Sequence, residues 1–395
     1  MTSPELWAPY VKIATPQVFF PFFVTDFVLH SEEGQHQWAQ LTVRYHIPAT
    51  MRPALSELPA ELWWQENKPV RITYGTRRSV AKEFVGYVVS PEVLLAEDST
   101  PAPHIPGQMI DVRYTLLGPT KPLQTVKNSA WVTCQAAYMA REIAERNGLT
   151  AVTGAHPRVF DYRQQTESDF TFLRRMAQEV GWRLVADGTT LFFTDPRTAL
   201  TSRIPVFRQN GVAGRQDTMQ SFTAVTGELD PAGEIRAEHE AVSLSRAGVV
   251  MPSVSSVPRS QPAGGDMAAQ VLRRASGYVA SSYSEAQSVS AAAARRGLWW
   301  VSATATVDGD VDLAPGCVVS LGGEALTAQY NGQWMTRAAH HRITISPADR
   351  RLSSYYVDLT LGRDQADRLT TRKSGPLPRT RSVLAGGRWV SRKAV

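Results

Sequence analysis

Residues 162–182 read YRQQTESDFTFLRRMAQEVGW, which is the pattern of a short amphipathic helix with a marked start and end. Thr166 and Asp169 have the spacing of a capping box, and Gly181 stands where a glycine often follows a helix C-terminus. The apolar residues that recur at helical spacing and predict one buried face are Phe170, Leu173, Ala177 and Val180. The stretch therefore predicts a helix that ends before Gly181.

The flanking segments extend this helix into a small α+β unit. Downstream, residues 183–194 predict a β-hairpin with a tight turn at Asp187-Gly188. Upstream, an earlier helix is predicted between Ser129, as its N-cap, and Gly148, as its end. The buried face of that helix would consist of Val132, Ala136, Met139, Ala140 and Ile143.

Strand patterns dominate on both sides of this unit. Apolar and polar residues alternate over Leu41–Ile47 and Val70–Tyr74, which is the period of strands with one buried face. The same alternation returns over Trp299–Val307 and Tyr355–Leu361. The sequence thus predicts two β-rich regions that flank a helical middle.

Three further segments interrupt the strand patterns. Pro53–Asn67 looks helical, and Ser284–Gly297 predicts another helix because a capping box opens it and a glycine ends it. Pro252–Gly265 is rich in proline and serine, which predicts a linker or an exposed loop.

The composition is that of a globular protein, since 43% of the 395 residues are hydrophobic and 20% are charged. Cys134 and Cys317 lie far apart and outside any CxxC pair, which argues against a cysteine zinc site or a disulfide framework. The net charge is +6, but Arg368–Val395 alone contains eight basic residues and no acidic ones. The rest of the chain is nearly neutral, so the charge does not indicate a nucleic-acid-binding face.

No membrane-spanning segment and no export signal are expected. The longest apolar run, Val18–Val24, is interrupted by Pro21 and is far shorter than the roughly 20 residues of a membrane-spanning helix. Glu5 stands where a signal peptide carries Lys or Arg.

Two acidic or histidine motifs begin like metal sites. His239 and Glu240 start like a zinc-protease helix, but Ser243 occupies the position of the second imidazole. A polar stretch of a strand or loop is the better interpretation. A second motif, with the alternate spacing of calcium-loop ligands, consists of Asp308, Asp310 and Asp312. Leu313 and Val319 replace its required Gly and Glu, so a turn with solvated carboxylates is predicted.

The remaining motifs also indicate no catalytic centre. His340 and His341 are adjacent, and neighbouring side chains on a strand point to opposite faces, so both cannot bind one metal ion. The chain has no nucleophile elbow, Walker loop or dinucleotide-binding fingerprint. We predict no catalytic, cofactor-binding or metal-binding residue, although the residues alone leave an enzyme open.

The run from Gln164 to Trp182 resembles a recurrent signature of the tail hub proteins of bacteriophages and contractile injection systems, Q-x-x-E-S-D-x-x-F-L-x-R-x-A-x-E-x-G-W. This family includes the phage late-control D proteins, the T4-type baseplate hub and the N-terminal part of type VI secretion spike proteins. Trp131–Leu149 resembles the preceding block of the family, and Leu313–Gly316 resembles an L-x-P-G turn before a strand. The resemblance covers roughly residues 20–362.

This resemblance implies a mixed, β-rich α+β fold, with two tail-tube-like β-barrel domains and an inserted small α+β domain. The domains would be a first barrel at 1–124, the insert at 125–204, a second barrel at 205–362 and a basic C-terminal extension at 363–395.

The resemblance also implies a structural, non-enzymatic baseplate or tail-tip hub without cofactors. Such a hub is a homotrimer, whose six barrels match a hexameric tail-tube or distal-tail protein above, while a separate spike or tip protein docks below. Tape-measure protein and DNA, or another cargo, would be partners in its channel. The expected location is the virion tail or the baseplate of an injection particle, after synthesis in the bacterial host cytoplasm.

Two alternatives belong to other functional classes. One is a tail-associated peptidoglycan hydrolase, whose carboxylate pair cannot be located from sequence alone. The other is a host-glycan-binding module, suggested by Trp63-Trp64 and Trp299-Trp300. Paired tryptophans are more often core or interface anchors.

The basic extension from Arg368 onward is not expected to fold alone. We expect a partner to order it, so that it wraps a neighbouring hub chain or the tip protein.

Overall fold

The computed structural model describes most of the chain in separate ranges: 8–14, 22–48, 69–76, 81–94, 107–156, 158–211, 217–226, 234–241, 251–258, 272–280, 301–346, 352–364, 380–385 and 388–393, with residues 292, 299 and 369.

Strands dominate both ends of the chain, and the helices of the middle part separate them, as predicted. The first part forms β1 (Pro9–Ala14), β2 (Phe22–Glu32), β3 (Trp38–Pro48), β4 (Pro69–Thr76), β5 (Lys82–Leu94) and β6 (Gly107–Leu117). The middle forms β7 (Ser129–Gln135), α1 (Ala136–Arg146), β8 (Thr150–Thr153), β9 (Val159–Gln165), α2 (Asp169–Val180), β10 (Arg183–Asp187) and β11 (Thr190–Thr194). The last part forms β12 (Val206–Arg208), β13 (Met219–Thr226), β14 (Glu234–Ala241), β15 (Met251–Pro258), β16 (Leu272–Ala280), β17 (Val301–Asp308), β18 (Val318–Gly322), β19 (Gly332–Thr344), β20 (Ser354–Arg363), β21 (Thr380–Ala385) and β22 (Arg388–Lys393).

A single 12-stranded sheet contains strands from both ends of the chain. Its hydrogen-bonded order is β1-β4-β5-β6-β3-β2-β19-β20-β17-β13, while β18 pairs with β12 and β19 beside that path. The antiparallel pairing of β2 with β19 runs from Asp26 opposite Thr344 to Glu32 opposite Ala338. This pairing joins the N-terminal strands to the C-terminal strands.

The two predicted barrels are not confirmed. In the part of the chain that the structure describes, no sheet closes on itself, and most strands of both β-rich regions belong to one open sheet with β1 and β13 at the ends of its order. The reason is the β2–β19 pairing, which continues one region directly into the other. Strands β14, β15 and β16 form a separate three-stranded sheet, with β14 in its centre. The boundaries after residues 124, 204 and 362 remain predictions.

One apolar core lies under this sheet and crosses the β2–β19 pairing. The ring centroid of Phe27 in β2 lies 5.2 Å from that of Tyr74 and 6.4 Å from that of Phe84. Ile343 and Val357, from the C-terminal strands, are buried in the same cluster. Because both regions contribute to one core, they stabilise each other.

Helix α2 confirms the predicted helix, with a different N-cap. The side-chain oxygen of Ser168 accepts the backbone N–H of Thr171, so Ser168 and not Thr166 caps the helix. Ser168 lies directly before the first helical residue, in an extended conformation, whereas Thr166 lies one residue after β9. Gly181 follows with φ 66° and ends the helix as predicted.

The earlier predicted helix starts later than expected. Helix α1 begins at Ala136, and the residues from Ser129 to Gln135 form β7, which pairs with β9. The Ser129 hydroxyl donates to Gln165 Oε1 at 3.0 Å instead of capping a helix, and Val132 is exposed. Tertiary pairing with β9 therefore overrides the helical spacing of the first apolar residues. The predicted hairpin is confirmed as β10–β11, and β8 adds to it in parallel.

The predicted linker at Pro252–Gly265 is wrong in its first half. Residues 251–258 form β15, which pairs with β14 along its length, and residues 259–265 lie outside the described residues. The helix predicted at Pro53–Asn67 also lies outside them, as does the one at Ser284–Gly297 except for Ala292, which is helical.

The basic extension contains local structure that the sequence did not predict. Strands β21 and β22 form an antiparallel hairpin, in which Arg381 lies opposite Arg392. Two isolated strands are marginally stable in water, so this hairpin does not contradict the expectation that a partner orders the extension.

Among the described residues, none of the helices has the length and apolar character that crossing a membrane requires.

Candidate functional site

The aspartate of the signature, Asp169, lies in a buried polar network between the helices of the insert. The Asp169 carboxylate is fully buried and accepts hydrogen bonds from Gln165 Nε2 at 2.7 Å and Asn147 Nδ2 at 3.0 Å. Arg146 completes the network through an ion pair with Asp169. Trp131 Nε1 donates to Gln165 Oε1 at 3.3 Å. The hydrogen bonds and the ion pair of this carboxylate therefore connect α1 and β9 to α2, and Gln165 extends the network to β7.

The charged residues on the outer side of α2 pair with one another. Arg175 contacts Glu167 at 2.8 Å and Glu179 at 3.4 Å, and Arg163 contacts Glu179 at 3.1 Å. Pairs that are this exposed contribute about 0 to 1 kcal/mol each. The charged residues of the signature on this side therefore pair with nearby charges of the same segment.

The insert is attached to the sheet by backbone hydrogen bonds on two sides. Gly34, in the turn between β2 and β3, donates its N–H to the Leu184 carbonyl of β10 at 2.7 Å. Leu200 donates to the Gly316 carbonyl at 2.9 Å. The insert therefore contacts both the N-terminal and the C-terminal parts of the sheet.

A buried arginine lies at the centre of this attachment. The guanidinium of Arg183 contacts Glu33 at 3.5 Å and donates to the Thr198 carbonyl. Arg337 of β19 also contacts Glu33 at 3.5 Å. Burial lowers the pKa of Arg183, and the negative charge of Glu33 partly offsets this effect.

A pocket of about 320 Å³ lies beside this group, between the insert and the sheet. It is lined by charged and aromatic side chains, among them Glu33, Arg174, Trp182, Trp299 and Arg337. A second pocket, of about 820 Å³, lies between β1 and β2, and no carboxylate is among the described residues that line it. Within the described ranges, neither pocket is lined by the pair of carboxylates that glycoside hydrolysis requires.

A second ion pair ties the insert to the N-terminal strands. Lys82 Nζ lies 2.8 Å from Asp187 Oδ1, at the turn between β10 and β11. Burial alone would lower the pKa of Lys82, but the Asp187 carboxylate more than offsets this effect and raises it. Lys82 therefore stays charged and paired.

The buried histidine of the predicted His340-His341 pair is saturated with hydrogen bonds. His341 Nε2 donates to the Leu313 carbonyl at 2.9 Å, and its Nδ1 accepts the Tyr355 hydroxyl at 2.9 Å. Burial, aided by the nearby charge of Lys82, lowers the pKa of His341 to about 3. The ring is neutral, and its role is to connect β19, β20 and the turn before β18.

Cys317 is a second side chain that could in principle react. Its thiol is buried and donates to the Asp312 carbonyl at 3.3 Å. Burial raises the pKa of the Cys317 thiol, which keeps it protonated and unreactive at neutral pH.

The other motif residues that the structure describes are held by nearby partners. Asp310 and Asp312 both bind Arg203, with Asp310 at 2.8 Å, so these carboxylates form a salt-bridged turn. His340 and His341 do point to opposite faces, since His341 is buried and His340 is half-buried near His30. The side chains of His239 and Glu240, on β14, lie outside the described residues, as do Trp63, Trp64 and Trp300.

The residues of the insert–sheet junction were missed by sequence reasoning. Glu33, Arg183 and Arg337 are far apart along the chain, and no local pattern brings them together. One signal is Arg183, a charged residue that directly precedes the apolar residues Leu184–Ala186 of its strand.

No protein-family model and no curated protein matches this chain. The prophage MuSo2 43 kDa tail protein from Shewanella oneidensis is 11% identical, with a TM-score of 0.54 over 90% of this chain and 98% of that chain. The tail protein from Neisseria meningitidis MC58 is 11% identical, with a TM-score of 0.57 over 93% of this chain and 100% of that chain.

A third similar structure comes from a secretion system. It is an E. coli component of the type VI secretion system, itself structurally similar to the T4 bacteriophage tail proteins gp27 and gp5. It is 10% identical, with a TM-score of 0.52 over 89% of this chain and 76% of that chain. The chain therefore has the fold of phage tail proteins and of this secretion component, as the resemblance of residues 164–182 predicted.

Proposed function

We propose that this protein is a structural hub in the tail or baseplate of a phage or related injection particle. The observation that carries the proposal is the fold shared, over almost the whole chain, with two tail proteins and a type VI secretion component. Asp169, His341 and Cys317 are the side chains most like catalytic groups. All three are buried and hydrogen-bonded to other parts of the protein, which supports a structural role for them.

The proposed assembly is a homotrimer around an axial channel. Each chain would supply two tube-like β units, at 1–124 and 205–362, so that three chains present six similar units to a hexameric tube protein. Within one chain, the β2–β19 pairing would join the two units edge to edge. The insert at 125–204 and the extension at 363–395 would lie outside the tube-like units.

The partners follow from this symmetry. A hexameric tail-tube or distal-tail protein would bind above, and a threefold spike or tip protein below. Tape-measure protein and DNA, or another cargo, would pass through the channel.

Oligomeric mass and imaging test the proposal together. Analytical ultracentrifugation of the full-length protein should give a trimer, and electron cryomicroscopy of the parent particle should place it at the tail tip around a continuous channel. A monomer in assembled tails, or a location away from the tail tip, would refute the hub.

Zymography on peptidoglycan tests the hydrolase alternative. The hub proposal expects no clearing by the purified protein. If the protein clears peptidoglycan and loses this activity when one or two carboxylates are substituted, the hydrolase alternative is correct and the hub proposal is wrong.

A further inference from the structure

A row of polar and aromatic residues crosses the pairing that joins the two β-rich regions. Trp38 lies directly opposite His30, His30 opposite His340, His340 opposite Asp358, and Asp358 opposite Thr306. These five residues belong to five consecutive strands of the sheet, β3, β2, β19, β20 and β17. The two imidazoles therefore lie side by side on neighbouring antiparallel strands.

The rings of the two histidines lie close together, and one of them stacks on a tryptophan. The ring centroids of His30 and His340 are 4.5 Å apart, with an angle of 53° between their planes. The ring of His30 also stacks on Trp38, at 3.8 Å and 6°. Both histidines are half-buried, so their rings remain within reach of solvent ions. Directly opposed side chains on paired strands can reach a common atom between them.

Burial is the main cause of the lowered pKa of both histidines. Burial, followed by the charges of His340 and Arg342, lowers the pKa of His30 to about 4. Burial also lowers the pKa of His340, although Glu32 and Asp358 oppose this effect. Neutral imidazole is the form that binds transition metals.

Asp358 stands at the next position of the row but is held by other partners. Arg342 Nε lies 2.7 Å from Asp358 Oδ2, and the Thr306 hydroxyl donates to Asp358 Oδ1 at 2.8 Å. Among the described residues, no three potential ligands are already grouped for a metal ion. A third protein ligand would therefore require Asp358 to leave Arg342.

We propose that His30 and His340 together bind a divalent transition-metal ion, of which Zn²⁺ is the representative, across the β2–β19 pairing. Imidazole nitrogen suits Zn²⁺, Ni²⁺ and Cu²⁺, whereas Mg²⁺ and Ca²⁺ prefer oxygen ligands. Water completes the coordination shell at this half-exposed position, and Asp358 replaces one water when Arg342 is removed. The ion acts as a clamp between the N-terminal and C-terminal strands, whatever the role of the whole protein.

Calorimetric titration of the chelator-stripped, full-length protein with ZnCl₂ tests the site. Wild type should bind one ion per chain at this site and unfold at a higher temperature when the ion is present. His30→Gln and His340→Gln should each lose this binding and the shift in unfolding temperature. His46→Gln is the matched control, because His46 is also a half-buried strand histidine but lies opposite Met109 instead of a second histidine.

Two further measurements separate this site from nonspecific binding. Arg342→Ala should bind Zn²⁺ more tightly than wild type, because it frees Asp358 and removes a positive charge. MgCl₂ should produce no shift in unfolding temperature. The proposal is overturned if wild type shows no saturable Zn²⁺ binding, if both histidine variants keep it, or if His46→Gln loses it to the same extent.

Discussion

The Gln165 side-chain amide donates to the fully buried Asp169 carboxylate at 2.7 Å, and this contact fixes the end of β9 against the start of α2. Arg146 and Asn147, at the end of α1, reach the same carboxylate. Three side chains, those of Gln165, Arg146 and Asn147, therefore depend on one acidic residue, which is the aspartate of the signature.

Replacing this aspartate should destabilise the insert. Asp169→Ala leaves the Gln165 amide and the Arg146 guanidinium without their acceptor, which should lower the free energy of unfolding by about 3 kcal/mol. Urea denaturation measures the change. Asp161→Ala, at an exposed position of β9, should change it by less than about 0.5 kcal/mol. Equal effects of the two variants would contradict the assigned role of Asp169.

Acid should weaken the fold through His341. The pKa of His341 is about 3 in the folded protein against 6.5 for the free side chain, so the unfolded chain binds more protons between these values. The stabilisation is complete above pH 6.5 and is lost as the pH falls toward 3, by on the order of 4 kcal/mol. The measurement is the free energy of unfolding of wild type and His341→Gln across this range. The two pH profiles should differ in slope, and parallel profiles would exclude His341 as the cause.

The ion pair between Lys82 and Asp187 should couple the insert to the N-terminal strands. A double-mutant cycle with Lys82→Met and Asp187→Asn should give a coupling free energy of about 1 kcal/mol, because both groups are mostly buried. The more exposed pair of Arg71 and Glu83 is the control and should give about 0.3 kcal/mol. A smaller coupling free energy for Lys82–Asp187 than for the control pair would show that this ion pair does not couple the insert to the N-terminal strands.

Gly316 should tolerate no side chain. Its φ is 88°, and an added Cβ would lie 2.6 Å from Leu200 Cδ1 and 2.8 Å from Arg183 Nη1. Gly316→Ala should therefore cost more than about 2 kcal/mol, from backbone strain together with displacement of Arg183. Gly188→Ala is the control, since Gly188 also has a positive φ but open space around it, and should cost about 1 kcal/mol. Thermal unfolding of both variants measures the difference.

The boundary of the C-terminal extension should lie beyond residue 363. Arg363 is fully buried, donates to the Gln333 carbonyl at 2.8 Å and lies 3.9 Å from the Trp334 ring centroid, and Leu369 packs on Met335. Truncation after Gly362 should therefore destabilise the sheet, which a lower unfolding temperature would show.

Truncation after Thr370 keeps these contacts and should unfold at the same temperature as the full-length chain. Particle assembly with this shorter truncation then tests whether the remaining extension attaches a neighbouring hub chain or the tip protein. Intact assembly would refute that attachment.

Features set by nearby residues were the ones that the sequence predicted well. The end of α2 at Gly181 and the β10–β11 hairpin depend on contacts within a few residues, and both were confirmed. The start of α1 was misplaced because β7 pairs with β9, some thirty residues further along the chain, and local spacing carries no sign of that partner.

The candidate site depended even more on long-range contacts. Nothing in the sequence indicates that His30 and His340 lie side by side, because their strands are far apart along the chain. The sequence suggested only the adjacent pair His340-His341, whose side chains point to opposite faces. The cluster of Glu33, Arg183 and Arg337 likewise forms only when the insert docks on the sheet.

The pairing of β2 with β19 also has a consequence for synthesis on the ribosome. Asp26 and Thr344, which are hydrogen-bonded across it, are separated by 318 positions. A nascent chain thus carries one open edge of β2 until at least residue 344 has been translated, and such edges are sites of aggregation. Contacts this distant slow folding, so chaperones in the producing cell should influence the yield of this protein more than that of proteins built from local contacts.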